Sequence, residues 1–275
     1  MTATLGLVAG SGRLPFEVAA AAASQGTQVA IAAIENNTDP AIESLAGGAF
    51  TWLAGGELDR LINFFKQAGA TEIILAGAVA KPEMMNDVAA LRPDARAIGL
   101  LARLKGRGDD AILRGLAEEI ESEGMQVVDS TKHLGDRMTS TGRLAGPEPE
   151  PALRSDLDLG LRTARHLGLV DVGQSVVVKD GTVVAVEALE GTDATLRRAA
   201  GLVGGGAVLV KAAKPNQDLR FDVPAIGPAT LETAVELGLS AIGLEAGCTL
   251  VLERERVYAL AKDAGLSLVG LGGDA

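Results

Sequence analysis

The stretch 211-KAAKPNQDLRFDVPAIG-227 places three cations, Lys211, Lys214 and Arg220, beside two acids, Asp218 and Asp222, two amides and two prolines. Cations suit oxyanions, and a carboxylate such as Asp222 suits Mg²⁺ or an attacking water. Cleavage of a phosphoric anhydride needs that mixture: positive groups against developing charge, and a carboxylate or metal that positions water. A surface salt-bridge loop is the competing account, and such loops contribute little stability. Pro215 and Pro224 stiffen the segment, which favours a fixed geometry. The stretch therefore reads as half of an anhydride-cleaving site.

A second carboxylate-rich stretch is 184-VAVEALEGTDATLRRA-199. Glu187 and Glu190 leave a strand, and Thr192 with Asp193 opens a helix. Three carboxylates so close together could gather a divalent cation. They could equally be a helix cap and two solvated acids; both readings stay open on the residues alone. In 9-AGSGRLP-15, directly after an apolar strand, Gly10, Ser11, Gly12 and Arg13 form a turn whose backbone could approach a phosphate at a helix start. Pro15 stands where the dinucleotide fingerprint has its third glycine, so a nucleoside-diphosphate pocket is expected here and an NAD(P) site is not. Glu35, near the end of the next strand, is either a ribose ligand or a solvated acid. In 76-AGAVAKPE-83, Gly77 permits close approach and Lys81 could meet a phosphate, unless the segment is simply a turn into a helix.

Other machinery is sparse. The two histidines, His133 and His166, form no H-x-x-x-H pair, and neither G-x-S-x-G nor G-x-x-x-x-G-K-[ST] occurs. Cys248 is the single cysteine, which excludes a disulfide frame and a thiolate metal cluster. A net charge of −11 with 3% aromatic residues disfavours nucleic-acid binding. The start, 1-MTATLGLVAGSG-12, lacks the basic region of a signal peptide, and no apolar run reaches the length of a membrane span. A cytoplasmic protein is expected.

Elements able to hold these residues follow from periodicity. Strands at 4–10, 27–35, 71–79 and 125–130 alternate with helices at 15–26, 39–46, 57–69, 94–104 and 109–124, implying a parallel sheet with crossovers. The polar, Gly- and Pro-rich stretch 131–150 reads as a linker. Beyond it, helix 151–168, a hairpin 175–188 turning at Asp180-Gly181, and further alternation to 267-SLVGL-271 indicate a different, mixed domain. The fold class is thus α/β: a Rossmann-like parallel-sheet domain over 1–130, and a C-terminal mixed α/β domain over 151–275.

Four motifs, 6-GLVAGSGRLP-15, 108-GDDAILR-114, 187-EALEGTDATLRRA-199 and 211-KAAKPNQDLRFDVPAIG-227, give the chain a likeness to a known family. It resembles the LpxI-type UDP-2,3-diacylglucosamine pyrophosphatases of lipid A biosynthesis along nearly its whole length. That resemblance implies Mg²⁺-dependent hydrolysis of a lipid-linked UDP-sugar to UMP and 2,3-diacylglucosamine 1-phosphate. The family's R-x-D-x-P acid falls on Asp222, its E-x-x-E-G-T-D motif on Glu187 to Asp193, and its KP-x-Q element on Lys214, Pro215 and Gln217. On that basis Asp222, Glu190 and Asp193 are the expected catalytic acids, and Asp222 and Glu187 the expected metal ligands. The expected substrate contacts are Gly10, Ser11, Gly12, Arg13, Gly77, Lys81, Thr192, Lys211, Lys214, Gln217 and Arg220. A homodimer and peripheral contact with the cytoplasmic face of the inner membrane are further expectations. The alternative is a non-catalytic nucleotide-sugar or acyl-lipid binding protein, which accounts for the glycine turn but not for the carboxylate-rich second domain.

Overall fold

The computed structural model describes residues 4–79, 91–104, 109–214, 218, 220–221 and 223–272, except the side chains of 109 and 110. The chain divides into two compact units, residues 1–134 with 219–221, and residues 135–218 with 222–275.

In the first unit five strands form one parallel sheet in the order β3-β2-β1-β4-β5. They are β1 (Thr4–Ala9), β2 (Gln28–Ile34), β3 (Phe50–Leu53), β4 (Ala70–Ala76) and β5 (Gln126–Val127). The central strands are apolar almost throughout because a parallel sheet is covered on both faces; Leu5, Leu7, Ile31, Ile73 and Ile74 are fully buried. Helices α1 (Leu14–Ser24), α2 (Leu58–Gln67), α3 (Ala95–Arg103) and α4 (Asp109–Ser122) follow in chain order. Helix α2 buries Leu58, Leu61, Ile62 and Phe65, the one-sided spacing of a helix laid on a core. The strand order reverses between β1 and β4, so the turns after these two strands lie at a topological switch point, where open α/β sheets take ligands. Phe221 also packs against this unit's core.

The second unit holds a six-stranded sheet in the order β6-β13-β11-β9-β7-β8. Its strands are β6 (Gly142–Ala145), β7 (Ser175–Lys179), β8 (Thr182–Val186), β9 (Val208–Lys211), β11 (Ala241–Glu245) and β13 (Ser267–Leu271). Strands β9, β11 and β13 run parallel, while β7, β8 and β6 are added by antiparallel pairing. A separate parallel pair joins β10 (Ala225–Ile226) and β12 (Leu250–Val251). Alternation along each strand builds two cores. Val176, Val178, Val208 and Val210 meet Leu157, Leu161 and Ala164 of α5 (Pro151–Leu169). On the other face Val177, Leu209, Ile242 and Leu244 share a cluster with residues of α6 (Thr192–Val203), α7 (Pro228–Glu236) and α8 (Arg254–Asp263).

The stretch 131–150, expected to be a linker, instead carries β6, which pairs with β13, and the unit boundary falls between Leu134 and Gly135. Edge strands draw their hydrogen bonds from backbone and need no apolar run, so a polar sequence hides one easily. The Asp180-Gly181 turn is as expected, with φ angles of 50° and 74°. Asp156 of α5, 6% exposed, clamps it: its Oδ2 accepts from Asp180 N at 2.9 Å and its Oδ1 from Gly181 N at 2.7 Å. Asp156→Ala strips both turn amides of their acceptor. It is expected to cost about 2–3 kcal/mol of the unit's stability, read as a lower urea midpoint at unchanged m-value. An unchanged midpoint would show that water replaces the clamp at no cost.

Candidate functional site

The second unit's sheet gathers its chemistry along one edge. Because β9 and β11 are parallel and β7 is antiparallel to β9, the ends of β9 and β11 and the start of β7 share that edge. The residues following β8 share it too. It therefore collects Lys211, Glu245, Ser175 and Glu187, with Thr192 at the first position of α6. This is the carboxyl edge of the parallel strands, the usual place for ligands in such sheets.

The side chains there form a continuous, largely buried relay. Lys211 Nζ donates to Thr192 Oγ1 at 3.0 Å, and Thr192 Oγ1 donates to Glu187 Oε1 at 3.0 Å. Ser175 Oγ lies 3.3 Å from the same threonine oxygen. Lys211 and Glu187 are each 8% exposed and Ser175 is 1% exposed, so the cation, the serine hydroxyl and the carboxylate are held away from bulk water, with Thr192 half-buried between them. Withdrawing charged groups from water is costly unless they are paired and hydrogen-bonded. The threonine hydroxyl, accepting from the ammonium and donating to the carboxylate, links both charges in one geometry. Glu187 Oε2, by contrast, is buried with no hydrogen-bond partner among the described residues.

The other acids of this stretch diverge. Glu190 Oε1 accepts from Arg198 Nη2 at 2.6 Å and from Thr195 Oγ1 at 3.3 Å, while its Oε2 accepts from Ala188 N at 3.1 Å. A hydrogen bond from its own backbone N–H, followed by those from Arg198 and Ala188, holds its carboxyl below the usual range. Glu190 is thus an ionised acid that ties the 187–191 turn to α6. Asp193, exposed on the first turn of α6, accepts from Thr230 Oγ1 at 3.4 Å. Lys214 is ion-paired with Asp171. Arg220, in the first unit, lies 3.6 Å from Glu121 and stacks over the Phe221 ring at 4.8 Å.

In the first unit the two glycine-bearing turns are bound to each other. Gly10 N donates to Ala76 O at 2.8 Å, Ser11 N to Ala78 O at 2.7 Å, and Ala78 N to Ser11 O at 3.2 Å. A Cβ on Gly77, whose φ is +86°, would stand 2.4 Å from Ser11 O, and one on Gly10 would stand 2.6 Å from Ala78 O. These glycines are needed for backbone to pass backbone. Ser11 Oγ and Asn37 Nδ2 both donate to Ala78 O, at 2.8 and 2.9 Å. Gly12, with φ +88°, faces open space ahead of α1, and Arg13 lies over the Phe16 ring at 4.5 Å. Glu35, considered as a ribose ligand, is paired with Arg92.

Asp222, Lys81 and Gln217 lie outside the described residues. Among the described residues no three of His, Cys, Asp and Glu converge on one point. Mg²⁺ commonly takes one or two carboxylates and completes its shell with water and substrate phosphates. The unpartnered Oε2 of Glu187 fits one such position. Glu245, Arg165 and Ser175 belong to this edge although sequence reasoning passed over them. The available signal was a carboxylate closing the apolar run 240-SAIGLE-245 in the middle of a sheet.

Comparison with known proteins adds the ancestry. The LpxI N-terminal domain family matches residues 4–137 and the LpxI C-terminal domain family matches residues 140–269. The UDP-2,3-diacylglucosamine pyrophosphatase LpxI of Caulobacter vibrioides is 39% identical over 278 residues, spanning 97% of each chain. Among solved structures, the leucoanthocyanidin reductase–NADPH complex from Vitis vinifera matches with 15% identity and a TM-score of 0.27, covering 44% of this chain and 47% of that one. The biotin carboxylase subunit of pyruvate carboxylase matches with 14% identity and a TM-score of 0.27, covering 64% and 35%. Likenesses that weak carry no argument. With both domain families matched from residue 4 to residue 269, and a relative aligned over nearly its full length, the chain belongs to the LpxI family.

Proposed function

We propose that this protein hydrolyses the pyrophosphate bond of UDP-2,3-diacylglucosamine, a step of lipid A biosynthesis that releases UMP and 2,3-diacylglucosamine 1-phosphate. The observation that carries the reading is the Lys211–Thr192–Glu187 relay at the carboxyl edge of the second sheet, in a chain 39% identical to a pyrophosphatase of that name. Glu187 and Asp222 would hold Mg²⁺, which when bound offsets phosphate charge and lowers the pKa of a coordinated water. Lys211, fixed by Thr192, Lys214 and Arg220 would stabilise the charge that builds on the diphosphate as the bridging P–O bond breaks. Asp222 would orient the water, with Glu190 keeping the 187–191 turn in place and Asp193 supporting the start of α6. The turn at Gly10–Arg13, together with Gly77 and Lys81, would take the nucleotide sugar; Gln217 would add a polar contact. A homodimer acting at the cytoplasmic face of the inner membrane completes the proposal, since the substrate is diacylated.

The deciding experiment follows UMP release from UDP-2,3-diacylglucosamine with Mg²⁺ and after EDTA treatment. UMP is expected with Mg²⁺ and is expected to fall to background with EDTA, returning on readdition. Release that persists in EDTA would remove the metal from the proposal. No release by wild-type protein with Mg²⁺ would overturn the reaction and leave a nucleotide-sugar or acyl-lipid binding protein.

A further inference from the structure

Glu245 is an unusual residue for its position. It ends β11, a central strand whose other residues are Ala241, Ile242, Gly243 and Leu244, all buried. It is itself only 8% exposed. A carboxylate at such a place is costly unless both oxygens are engaged, and here both are. Glu245 Oε1 accepts from Arg165 Nε at 2.7 Å and lies 2.6 Å from Arg165 Nη2. Its Oε2 accepts from Ala213 N at 2.8 Å.

The second of these bonds has a purpose that the ladder explains. Pairing between β9 and β11 stops at Lys211, opposite Leu244. One residue on, Ala212 N donates to Gln174 O at 2.9 Å, on the β7 side. Ala213 N then falls beyond the reach of the β11 backbone, and the Glu245 side chain supplies the missing acceptor. The carboxylate thus extends the sheet by one hydrogen bond and fixes the backbone midway between Lys211 and Lys214. Arg165, half exposed on α5, holds the carboxylate from behind.

We propose that Glu245, braced by Arg165, is a positioning residue: it sets the exit of β9 so that Lys211 and Lys214 are presented to the diphosphate. This rests on the reaction proposed above, and it adds a residue that touches no substrate. Small displacements of such groups are expensive, since a shift of about 1 Å can cost on the order of 10²-fold in rate.

The test compares Glu245→Ala with Glu245→Gln in kcat, KM, and amide exchange over residues 207–214. Glutamine keeps an oxygen for Ala213 N, and the half-exposed Arg165 can turn to water. Glu245→Ala is expected to lower kcat by about tenfold to a hundredfold with KM changed less than about threefold. Exchange over 207–214 should quicken in that variant, while the rest of the protein exchanges as in wild type. Glu245→Gln is expected to restore both readouts to near the wild-type values. Wild-type kcat in Glu245→Ala, unchanged exchange, or a loss in Glu245→Gln equal to that in Glu245→Ala would each overturn the proposal. If Glu245→Ala fails to fold, the glutamine variant decides: near wild-type kcat supports the clamp and a tenfold loss overturns it. If wild-type protein releases no UMP, the proposed reaction falls while the exchange comparison still judges the clamp.

Discussion

Replacing Asp222 by alanine is expected to lower the turnover of UDP-2,3-diacylglucosamine by about 10³-fold while leaving substrate binding within a few-fold of wild type. The reasoning begins with the reaction. Hydrolysis of a diphosphate needs little covalent chemistry from the protein, and most of the acceleration comes from positioning water and offsetting charge in the transition state. A carboxylate that holds the metal and aims the water acts mainly there, so its removal should fall on kcat more than on KM. The chain just beyond Asp222 is well anchored, which limits the structural damage of the substitution. Val223 is buried, and Pro224 O accepts from Leu250 N at 2.8 Å. The measurement pairs steady-state UMP release with equilibrium binding of the intact substrate. Wild-type turnover in Asp222→Ala would remove this acid from the mechanism. A loss of binding as large as the loss of turnover would make it a ground-state contact instead.

Much of the architecture could be read from the chain because burial on both faces leaves a plain trace. Runs such as 28-QVAIAAI-34 and 267-SLVGL-271 are strands at or near the expected bounds, and the Asp180-Gly181 hairpin follows from turn chemistry. Strands escaped at the sheet edges, where the run is short or need not be apolar. The edge strand β3, 50-FTWL-53, is half exposed over its first three residues, and β6 sits in a polar stretch. The site was legible in parts. Lys211, Thr192 and Glu187 were all singled out, but their meeting depends on which strands lie side by side. Spacing along the chain instead suggested a group of Glu187, Glu190 and Asp193. Once the strand ends and a helix begins, those three leave in different directions: toward Thr192, toward Arg198 and toward Thr230. The bond between Glu245 and Ala213 N spans 32 positions. It answers a need of the backbone, the end of a ladder, which no pattern of side chains announces. The Gly10 and Gly77 turns carry a related lesson. Their glycines looked like a phosphate approach, and the structure gives them a prior task, packing two backbones at a switch point.

Lys211 poses a sharper problem, because its removal should harm both stability and rate, and the two have to be separated. Lys211→Met keeps the unbranched apolar stem as far as Cε and deletes the ammonium that donates to Thr192 Oγ1. Turnover is expected to fall by between about 10² and 10³, the range for removing one charge-stabilising donor. Glu187, buried and linked to the ammonium through the threonine hydroxyl, then loses its compensating charge. A stability loss of about 2–3 kcal/mol should accompany the change. Low activity alone would therefore be ambiguous. The double variant Lys211→Met/Glu187→Gln resolves it, since a neutral amide no longer needs the cation. Urea unfolding should show stability returning toward wild type in the double variant, a coupling between the sites that single substitutions cannot reveal. UMP release should remain at or below the level of Lys211→Met, because the double variant lacks both the cation and a proposed metal ligand. Recovery of activity together with stability would mean that Lys211 serves the fold and not the chemistry, and the relay would lose its place in the mechanism.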